Sequence, residues 1–210
     1  MTVETGSFPK RRLRSEYIAA RFRPLFKGKV LDVGCDRALL KQLVPDIDYY
    51  GIDIGGCPDR VVDLEKENAL PFPDNSYDCI VCSDVLEHLN NIHHIFAELI
   101  RVTRGTIILS LPNNWTNARR PVARGKGSIG HYGLPVNPPE DRHKWFFSLT
   151  EAEQFIRGQQ TKVTFDIVEM FAMEKPRLAP LKLFRQLTAG SQEQYLNRYA
   201  HTLWAVLKKK

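Results

Sequence analysis

An alternation of short apolar runs with amphipathic stretches constrains the fold of this chain most. Apolar runs bounded by turn residues predict strands over 29–34, 48–53, 60–63, 77–82 and 106–111. Helical periodicity predicts helices between several of these strands, over 38–44 and 92–102. Because strands that alternate with helices form parallel sheets covered on both faces, the sequence predicts an α/β fold with a mostly parallel sheet.

The remaining segments extend the same architecture at both ends. Residues 15–26 and 150–157 read as helices, and residues 162–170 and 199–207 complete a sheet of seven strands. At 210 residues the chain is expected to form one domain. We divide it into an N-terminal helical brace (1–27), a central core of alternating strands and helices (28–111), an irregular segment (112–147) and a C-terminal part of the sheet (148–210).

Composition excludes several classes of protein. Hydrophobic residues make up 43% and charged residues 26% of the chain, as in ordinary globular proteins. Four scattered cysteines do not form the framework of a small secreted domain, and we find neither a signal peptide nor an apolar run long enough to span a membrane. A cytoplasmic location is therefore expected. A formal net charge of +6 leaves anionic partners open, including nucleic acid and a membrane surface.

Acidic residues follow the ends of three neighbouring predicted strands. Asp32 and Gly34 end the first strand, Asp53 ends the second, and Asp63 with Leu64 ends the third. In open α/β sheets, ligands bind beyond the carboxyl ends of the strands, against a glycine-containing first turn. A carboxylate at the end of the second strand can accept hydrogen bonds from both hydroxyls of a ribose. The pattern predicts a nucleoside-binding edge.

Five motifs in this region resemble those of class I S-adenosylmethionine-dependent methyltransferases, especially small bacterial enzymes of the polysaccharide-assembly type. The motifs keep their order and spacing over residues 28–113. They are Val30-Leu-Asp-Val-Gly-Cys35, Gly51-Ile-Asp53, Leu70-Pro-Phe-Pro-Asp-Asn-Ser-Tyr-Asp78, Ser83-Asp-Val-Leu-Glu-His-Leu89 and Leu109-Ser-Leu-Pro-Asn113. The resemblance implies a Rossmann-like fold, methyl transfer as the activity and S-adenosylmethionine as the cofactor.

The resemblance also implies a role for individual residues. It places Asp32 and Gly34 at the methionine end of the cofactor, Asp53 at the ribose, and Asp63 with Leu64 at the adenine. Ser83 and Asp84 are expected on the side where the methyl group is transferred. The predicted cofactor-binding residues are Asp32, Gly34, Cys35, Asp36, Asp53, Ile54, Asp63, Leu64, Ser83 and Asp84.

The glycine loop departs from the pattern that it resembles. Asp36 and Ala38 stand where the family has its second and third glycines, and Asp36 adds bulk and charge beside the cofactor. Its carboxylate could equally stabilise the cofactor's cationic groups. A non-catalytic, cofactor-binding scaffold therefore stays open. An NAD-dependent dehydrogenase is disfavoured, because it requires the full glycine fingerprint to hold a pyrophosphate.

The irregular segment 112–147 combines hydrogen-bonding groups with aromatic rings, which suits a sugar or another polyhydroxylated acceptor. We expect it to be mobile until its ligands bind. The alternative is that its aromatic residues only begin the next core element. The predicted acceptor-binding residues are Asn113, Trp115, His131, Tyr132, Arg142 and Trp145.

Two histidines are candidates for the general base of an O-methyl transfer. A sugar hydroxyl is not ionised at neutral pH, whereas imidazole accepts a proton there. His143 is preferred because it lies in the acceptor segment, while His88 belongs to a Glu-His pair that is often structural in the superfamily.

No metal site is predicted, although two sequence features could suggest one. The run from Asp84 to His88 resembles the metal-ligand run of certain RNA 2′-O-methyltransferases and quinone-precursor O-methyltransferases, but many relatives carry it without a metal. Cys79 and Cys82 have the spacing of a zinc half-site inside an apolar strand, with no second pair, and are expected to pack in the core.

These observations predict a methyltransferase that acts on a small-molecule or saccharide acceptor. An anionic or membrane-surface-associated acceptor stays open. Two alternatives are an RNA 2′-O-type methyltransferase, which the positive charge favours, and the catalytically degenerate scaffold.

Overall fold

The computed structural model describes residues 1–67, 69–139 and 141–210. Its eight strands form one sheet in the order β1-β7-β8-β6-β5-β2-β3-β4. The strands are β1 (Thr2–Thr5), β2 (Lys29–Val33), β3 (Asp48–Asp53), β4 (Arg60–Val61), β5 (Tyr77–Ser83), β6 (Thr103–Pro112), β7 (Phe165–Glu174) and β8 (Ala200–Lys209).

Helices cover the faces and one end of this sheet. They are α1 (Arg11–Arg21), α2 (Leu39–Leu43), α3 (Ile92–Val102), α4 (Asn114–Arg124), α5 (Leu149–Gln159), α6 (Ala179–Thr188) and α7 (Gln192–Tyr199). Short 3₁₀ turns lie at Arg23–Leu25 and Leu86–His88. A capping box between Ser148 and Glu151 starts α5 and satisfies two of its free backbone N–H groups.

The sheet is parallel except at β8, which runs antiparallel to both β6 and β7. In the parallel part, Asp32 of β2 lies beside Gly51 of β3 and Val81 of β5. Asp53 of β3 lies beside Val61 of β4. This register brings the carboxyl ends of neighbouring strands to one edge of the sheet, where the loops that follow them can share a ligand.

The predicted α/β fold is confirmed, with one strand more than expected. All seven predicted strands are present as β2 to β8. The additional strand, β1, lies in the segment predicted to be a helical brace and pairs with β7. The segment 112–147 was predicted to be irregular, but its first part forms α4. Helices α6 and α7 were not predicted.

Apolar side chains form a core on each face of the sheet. One cluster packs α3 and α5 on the strands through residues such as Phe96 and Ile156. The other packs α1 and α2 around Trp204, which Phe22 contacts at a centroid distance of 5.5 Å. Cys79 and Cys82 are fully buried in β5, as the apolar strand predicts. Within the described parts of the chain, the helices are all too short or too polar to cross a bilayer.

Candidate cofactor and acceptor cleft

A cleft of about 1050 Å³ opens at the carboxyl ends of β2, β3 and β5. All ten residues predicted to bind the cofactor line it: Asp32, Gly34, Cys35, Asp36, Asp53, Ile54, Asp63, Leu64, Ser83 and Asp84. The cleft also includes His88, His131, Arg142 and His143. The structure therefore joins the cofactor set and part of the acceptor set in one cavity.

The Asp53 carboxylate holds the glycine loop in place. Its Oδ2 accepts a hydrogen bond from the backbone N–H of Asp36 at 2.7 Å, and its Oδ1 accepts one from Gly55 at 3.2 Å. A carboxylate has about four acceptor positions, so both oxygens keep capacity for further donors such as hydroxyl groups. Gly56 approaches this loop so closely that a Cβ would lie 2.2 Å from the carbonyl oxygen of Asp36.

Three residues of the glycine loop have left-handed backbone conformations. The φ angles are 78° at Gly34, 47° at Asp36 and 50° at Ala38. The loop thus keeps a left-handed conformation where the resembling family has glycine, and Ala38 has it despite its Cβ. The Asp36 side chain turns to Arg11 of α1 and forms an ion pair at 3.0 Å.

Burial raises the pKa of the Asp32 carboxyl to about 7, and the nearby negative charge of Asp53 adds to the increase. The Tyr49 hydroxyl donates a hydrogen bond to Asp32 Oδ2 at 2.9 Å, which works in the opposite direction. A cationic ligand beside Asp32 would favour its ionised form.

The ends of β4 and β5 place further acids around the cleft. Asp63 accepts a hydrogen bond from Glu65 N–H, and its ion pair with Lys66 is the main cause of its lowered pKa. Asp84 has a φ of 52°, accepts a hydrogen bond from Ser110 Oγ at 2.6 Å and pairs with Arg14 at 2.9 Å. These contacts fix both carboxylates before any ligand binds.

Three histidine rings meet on the opposite side of the cleft. His131 stacks on His143 at a centroid distance of 4.3 Å, and His88 meets the same ring edge-on at 4.6 Å. His88 Nδ1 lies 3.2 Å from the Arg142 carbonyl oxygen and 3.3 Å from Asp141 Oδ1. The fold therefore brings together histidines that are far apart in the sequence.

Burial lowers the pKa of His143 to about 4, and the neighbouring His88 and His131 lower it further. Its Nδ1 is 3.1 Å from Asn114 Nδ2, which is a donor. Asn114 Oδ1 accepts from the N–H of Phe147, so the orientation of this amide is defined. His143 is accordingly neutral, and donation from Asn114 favours the tautomer with its proton on Nε2.

Glu87 is a buried carboxyl beside this cluster. Its Oε2 has no hydrogen-bond partner among the described residues, and burial raises its pKa well above the usual range. Glu87, His88 and His143 each offer a ligand atom within 4.8 Å of one another, as do His131, Asp141 and His143. Imidazole and carboxylate ligands suit several divalent ions. These residues could hold a metal, and the expectation of a metal-free site stays a prediction.

Four residues predicted to bind the acceptor lie outside the cleft lining. Asn113 is buried, and its Nδ2 donates to the carbonyl oxygens of Leu196, Asn197 and Ala200. This nitrogen already has three acceptors within the fold, which gives Asn113 a structural role, and its contact with a methyl acceptor stays a prediction. Trp115 is exposed on α4.

Tyr132 and Trp145 support the histidine cluster from behind. The Tyr132 hydroxyl donates to the Trp145 carbonyl oxygen and lies 3.1 Å from His143 Nδ1. The Trp145 indole donates to the Leu89 carbonyl oxygen at 2.7 Å. Their polar atoms are used within the protein, which leaves His131 and Arg142 as the predicted acceptor residues in the cleft lining.

Several residues that line the cleft were not predicted from the sequence. Arg11 and Arg14 reach Asp36 and Asp84 from α1, and the basic run at the start of that helix was the available signal. Glu87 appeared in the sequence only within the run from Asp84 to His88. Asp141 begins a polar and aromatic run of the acceptor segment, but its contact with His88 depends on tertiary structure and could not be predicted.

The residues that line the cleft fit S-adenosylmethionine. Asp53 keeps acceptor capacity for the ribose hydroxyls, while Asp32, Asp36 and Asp84 surround the cavity with carboxylates that suit a sulfonium and an ammonium group. Gly34 and Gly56 leave space where a Cβ would collide with Val85 and Asp36.

Comparisons with known proteins agree with this architecture. The chain is 31% identical over 109 residues to the ubiquinone biosynthesis O-methyltransferase of Klebsiella pneumoniae, a match that covers 42% of this chain and 45% of that protein. The chain thus spans less than half the length of this relative.

Two solved structures are similar in fold. A SAM-dependent methyltransferase from Archaeoglobus fulgidus has a TM-score of 0.54 at 19% identity, covering 96% of this chain and 95% of that one. The small RNA methyltransferase HEN1 has a TM-score of 0.59 at 15% identity, covering 99% of this chain and 26% of that one. The family described as "Methyltransferase domain" matches residues 9–164. The chain therefore belongs to this family.

Proposed function

We propose that the protein transfers a methyl group to a hydroxyl oxygen of a small-molecule or saccharide acceptor. One observation carries the proposal: the acidic cofactor edge and the cluster of His88, His131 and His143 line the same cleft. The relative from Klebsiella pneumoniae, named as an O-methyltransferase, supports oxygen as the methylated atom.

His88 is the proton acceptor in this proposal. Its Nδ1 faces two acceptors, the Arg142 carbonyl oxygen and Asp141 Oδ1, so this nitrogen carries the ring proton. Its Nε2 then has the free lone pair. His143, preferred on sequence position alone, is a poor base at neutral pH because burial lowers its pKa to about 4, and we propose that its Nε2–H serves as a hydrogen-bond donor instead.

The bound cofactor supplies a methyl group on a positively charged sulfur, which is already activated for displacement. The chain's own residues position the acceptor in line with it, and His88 Nε2 takes the proton as the acceptor oxygen attacks. Arg142 and His131 line the cleft beside this position and are proposed to bind the acceptor.

Calorimetry with S-adenosylmethionine, followed by methyl-transfer assays on catechols and on free and nucleotide-linked sugars, tests the proposal. We expect cofactor binding and transfer to at least one of these hydroxyl acceptors. Cofactor binding without transfer to any tested acceptor would favour the degenerate scaffold.

RNA is the second candidate acceptor, and the basic segments of the chain are the observation that favours it. Methylation of RNA would fall steeply with ionic strength, because phosphate contacts release counterions. Transfer to a neutral sugar would not.

Chelation distinguishes the histidine base from a metal-dependent reaction. We expect turnover to be unchanged after treatment with EDTA. A loss that a divalent ion restores would assign Glu87, His88 and His143 to a metal, and the proton-transfer role of His88 would then be wrong.

A further inference from the structure

Helix α6 presents its apolar face to solvent. Leu183, Phe184 and Leu187 follow helical spacing and are 57%, 63% and 76% exposed. The polar side faces the protein: Lys182 pairs with the buried Glu174, and Arg185 lies over the Tyr199 ring at 4.6 Å. Contiguous exposed apolar residues on a surface helix mark an interaction site.

Arginines that form no ion pair with a described residue surround this helix. Arg119 of α4 lies 5.1 Å from the same Tyr199 ring. Burial lowers the pKa of Arg177, and the nearby charges of Arg185 and Arg120 lower it further. Nitrogen atoms of three of these arginines are buried without a hydrogen-bond partner among the described residues: Arg119 Nε, Arg177 Nε and Arg185 Nη1.

Two segments of this region, residues 114–126 and 175–191, carry only positive charge. They contain eight Lys and Arg residues and no Asp or Glu, so their combined charge exceeds the formal net charge of +6 for the whole chain. Such clustered positive charge beside exposed Leu and Phe matches the headgroup and acyl regions of an anionic bilayer. We propose that the face formed by α4 and α6 docks on an anionic phospholipid bilayer.

A second copy of the chain fits this face less well. A two-fold symmetric dimer would place the same patch opposite itself and bring the arginine clusters together without acidic partners. A bilayer instead accepts the apolar residues and supplies phosphates to the arginines.

The docking face, defined as α4, α6 and residues 175–178, adjoins the cleft. Asn117 of α4 and Lys175 line the cavity, and Arg120 follows Asn117 one helical turn later. Docking would thus place the mouth of the cleft near the membrane surface. The proposal does not depend on the methylated atom or on the acceptor, because docking is measured without either.

Vesicle co-sedimentation of the full chain tests the proposal. We expect binding to phosphatidylcholine vesicles that contain phosphatidylglycerol and little binding to phosphatidylcholine alone. Combined L183S, F184S and L187S should weaken binding about tenfold or more, through loss of inserted apolar groups. Combined R120Q and R177Q should weaken vesicle binding by about fivefold for each charge removed, and this effect should be smaller at high salt, which screens the charges.

Matched variants away from the face serve as controls. V61S with V168S removes exposed apolar groups elsewhere, and K27Q with K162Q removes exposed charges elsewhere. Both pairs should bind vesicles like the wild type. Equal binding to neutral and anionic vesicles, or equal losses in the control pairs, would overturn the proposal.

Two other occupants would be recognised in the same experiments. A dimer in sedimentation velocity that the triple serine variant dissociates, without vesicle binding, would assign the face to a second copy. Thermal stabilisation by inorganic phosphate that R120Q with R177Q abolishes, again without vesicle binding, would assign the arginines to a soluble anion. Either result contradicts bilayer docking.

Discussion

On the cofactor side of the cleft, each functional carboxylate follows a strand or lies at its end. On the acceptor side, by contrast, the rings come from the loop between α4 and α5 and from the turn that contains His88. Asp32 and Asp53 are fixed by the register of β2 and β3. His131 and His143 are held by ring contacts with each other and with His88, by polar contacts with Tyr132 and Asn114, and by the backbone hydrogen bond from His143 N–H to the His131 carbonyl oxygen. Strand pairing thus defines one side, whereas loop contacts, many of them between side chains, define the other.

This difference teaches where each kind of chemistry is tolerant of change. A strand end is held by many backbone hydrogen bonds, so a side-chain substitution there removes a ligand contact and leaves the frame intact. In the histidine cluster the functional rings also position one another, so a substitution there alters both the chemistry and the geometry. Binding and turnover should therefore respond to separate sets of variants.

The largest expected effect is on turnover. H88A should lower kcat by about 10²–10⁴, because proton transfer is lost, while the dissociation constant for S-adenosylmethionine stays nearly unchanged. H143A should lower kcat less, because only a hydrogen-bond donor is removed. Single-turnover kinetics with calorimetry measure both quantities.

H93A is the matched control, because the His93 ring packs on Phe155. It should leave kcat nearly unaffected. The pH profile tests His143 as the base: with its pKa of about 4 it would give a rate that is flat above about pH 5. Near-normal turnover in the H88A H143A double variant would mean that catalysis proceeds by positioning alone.

The next largest expected effect is on cofactor affinity. D53A should weaken binding of S-adenosylmethionine and of its demethylated product by roughly 1.5–3 kcal/mol, because hydrogen bonds from the ribose to a charged group are lost. D166A, on the exposed part of β7, should leave both affinities unchanged. Unchanged affinity in D53A would place the cofactor elsewhere.

Cofactor affinity should also depend on pH through Asp32. Its carboxyl has a pKa of about 7, so it is largely protonated below that pH and ionised above it. A cationic ligand favours the ionised form, so the affinity should fall by up to about tenfold for each pH unit below 7. D32N should remove this dependence in calorimetry between pH 6 and 8. An equally steep dependence in D32N would assign it to another group.

Amide hydrogen exchange sharpens the comparison on the acceptor side. Since α4 is regular, the mobility expected of 112–147 narrows to the part after this helix, where the described residues, 125–139 and 141–147, have few backbone hydrogen bonds. Cofactor and acceptor together should raise protection there by about tenfold, with little change in α3. High and equal protection with and without ligands would show that the segment is rigid.

The same contrast explains how much the sequence could predict. The strands and the cofactor set were recognisable because apolar runs and the residues that follow them are local signals. Helix α4 was not, because Asn114, Asn117 and Pro121 weaken its helical pattern, and anchors such as the hydrogen bond from Thr116 Oγ1 to the Ala200 carbonyl oxygen are tertiary. Strand β1 is short and polar, and its pairing with β7 has no sequence signal.

The smallest expected effect concerns backbone strain, which occurs on both sides of the cleft. Asp36, Ala38 and Asp84 have positive φ angles on the cofactor side, and His131 has one of 68° in the histidine cluster. Of these, Ala38 is the residue whose side chain offers no hydrogen bond in compensation. A left-handed alanine costs about 1–2 kcal/mol, of which the greater freedom of glycine in the unfolded chain returns a part. A38G should therefore raise the free energy of unfolding by about 1 kcal/mol or less, which corresponds to a rise in melting temperature of about 2–4 °C at most.

A20G, near the end of α1, should lower the free energy of unfolding instead, because glycine is unfavourable in a helix by up to about 1 kcal/mol. Thermal denaturation of both variants measures the difference. If A38G destabilised the protein as much as A20G, the buried methyl group of Ala38 would outweigh the strain, and the loop would be held by packing as the histidine cluster is.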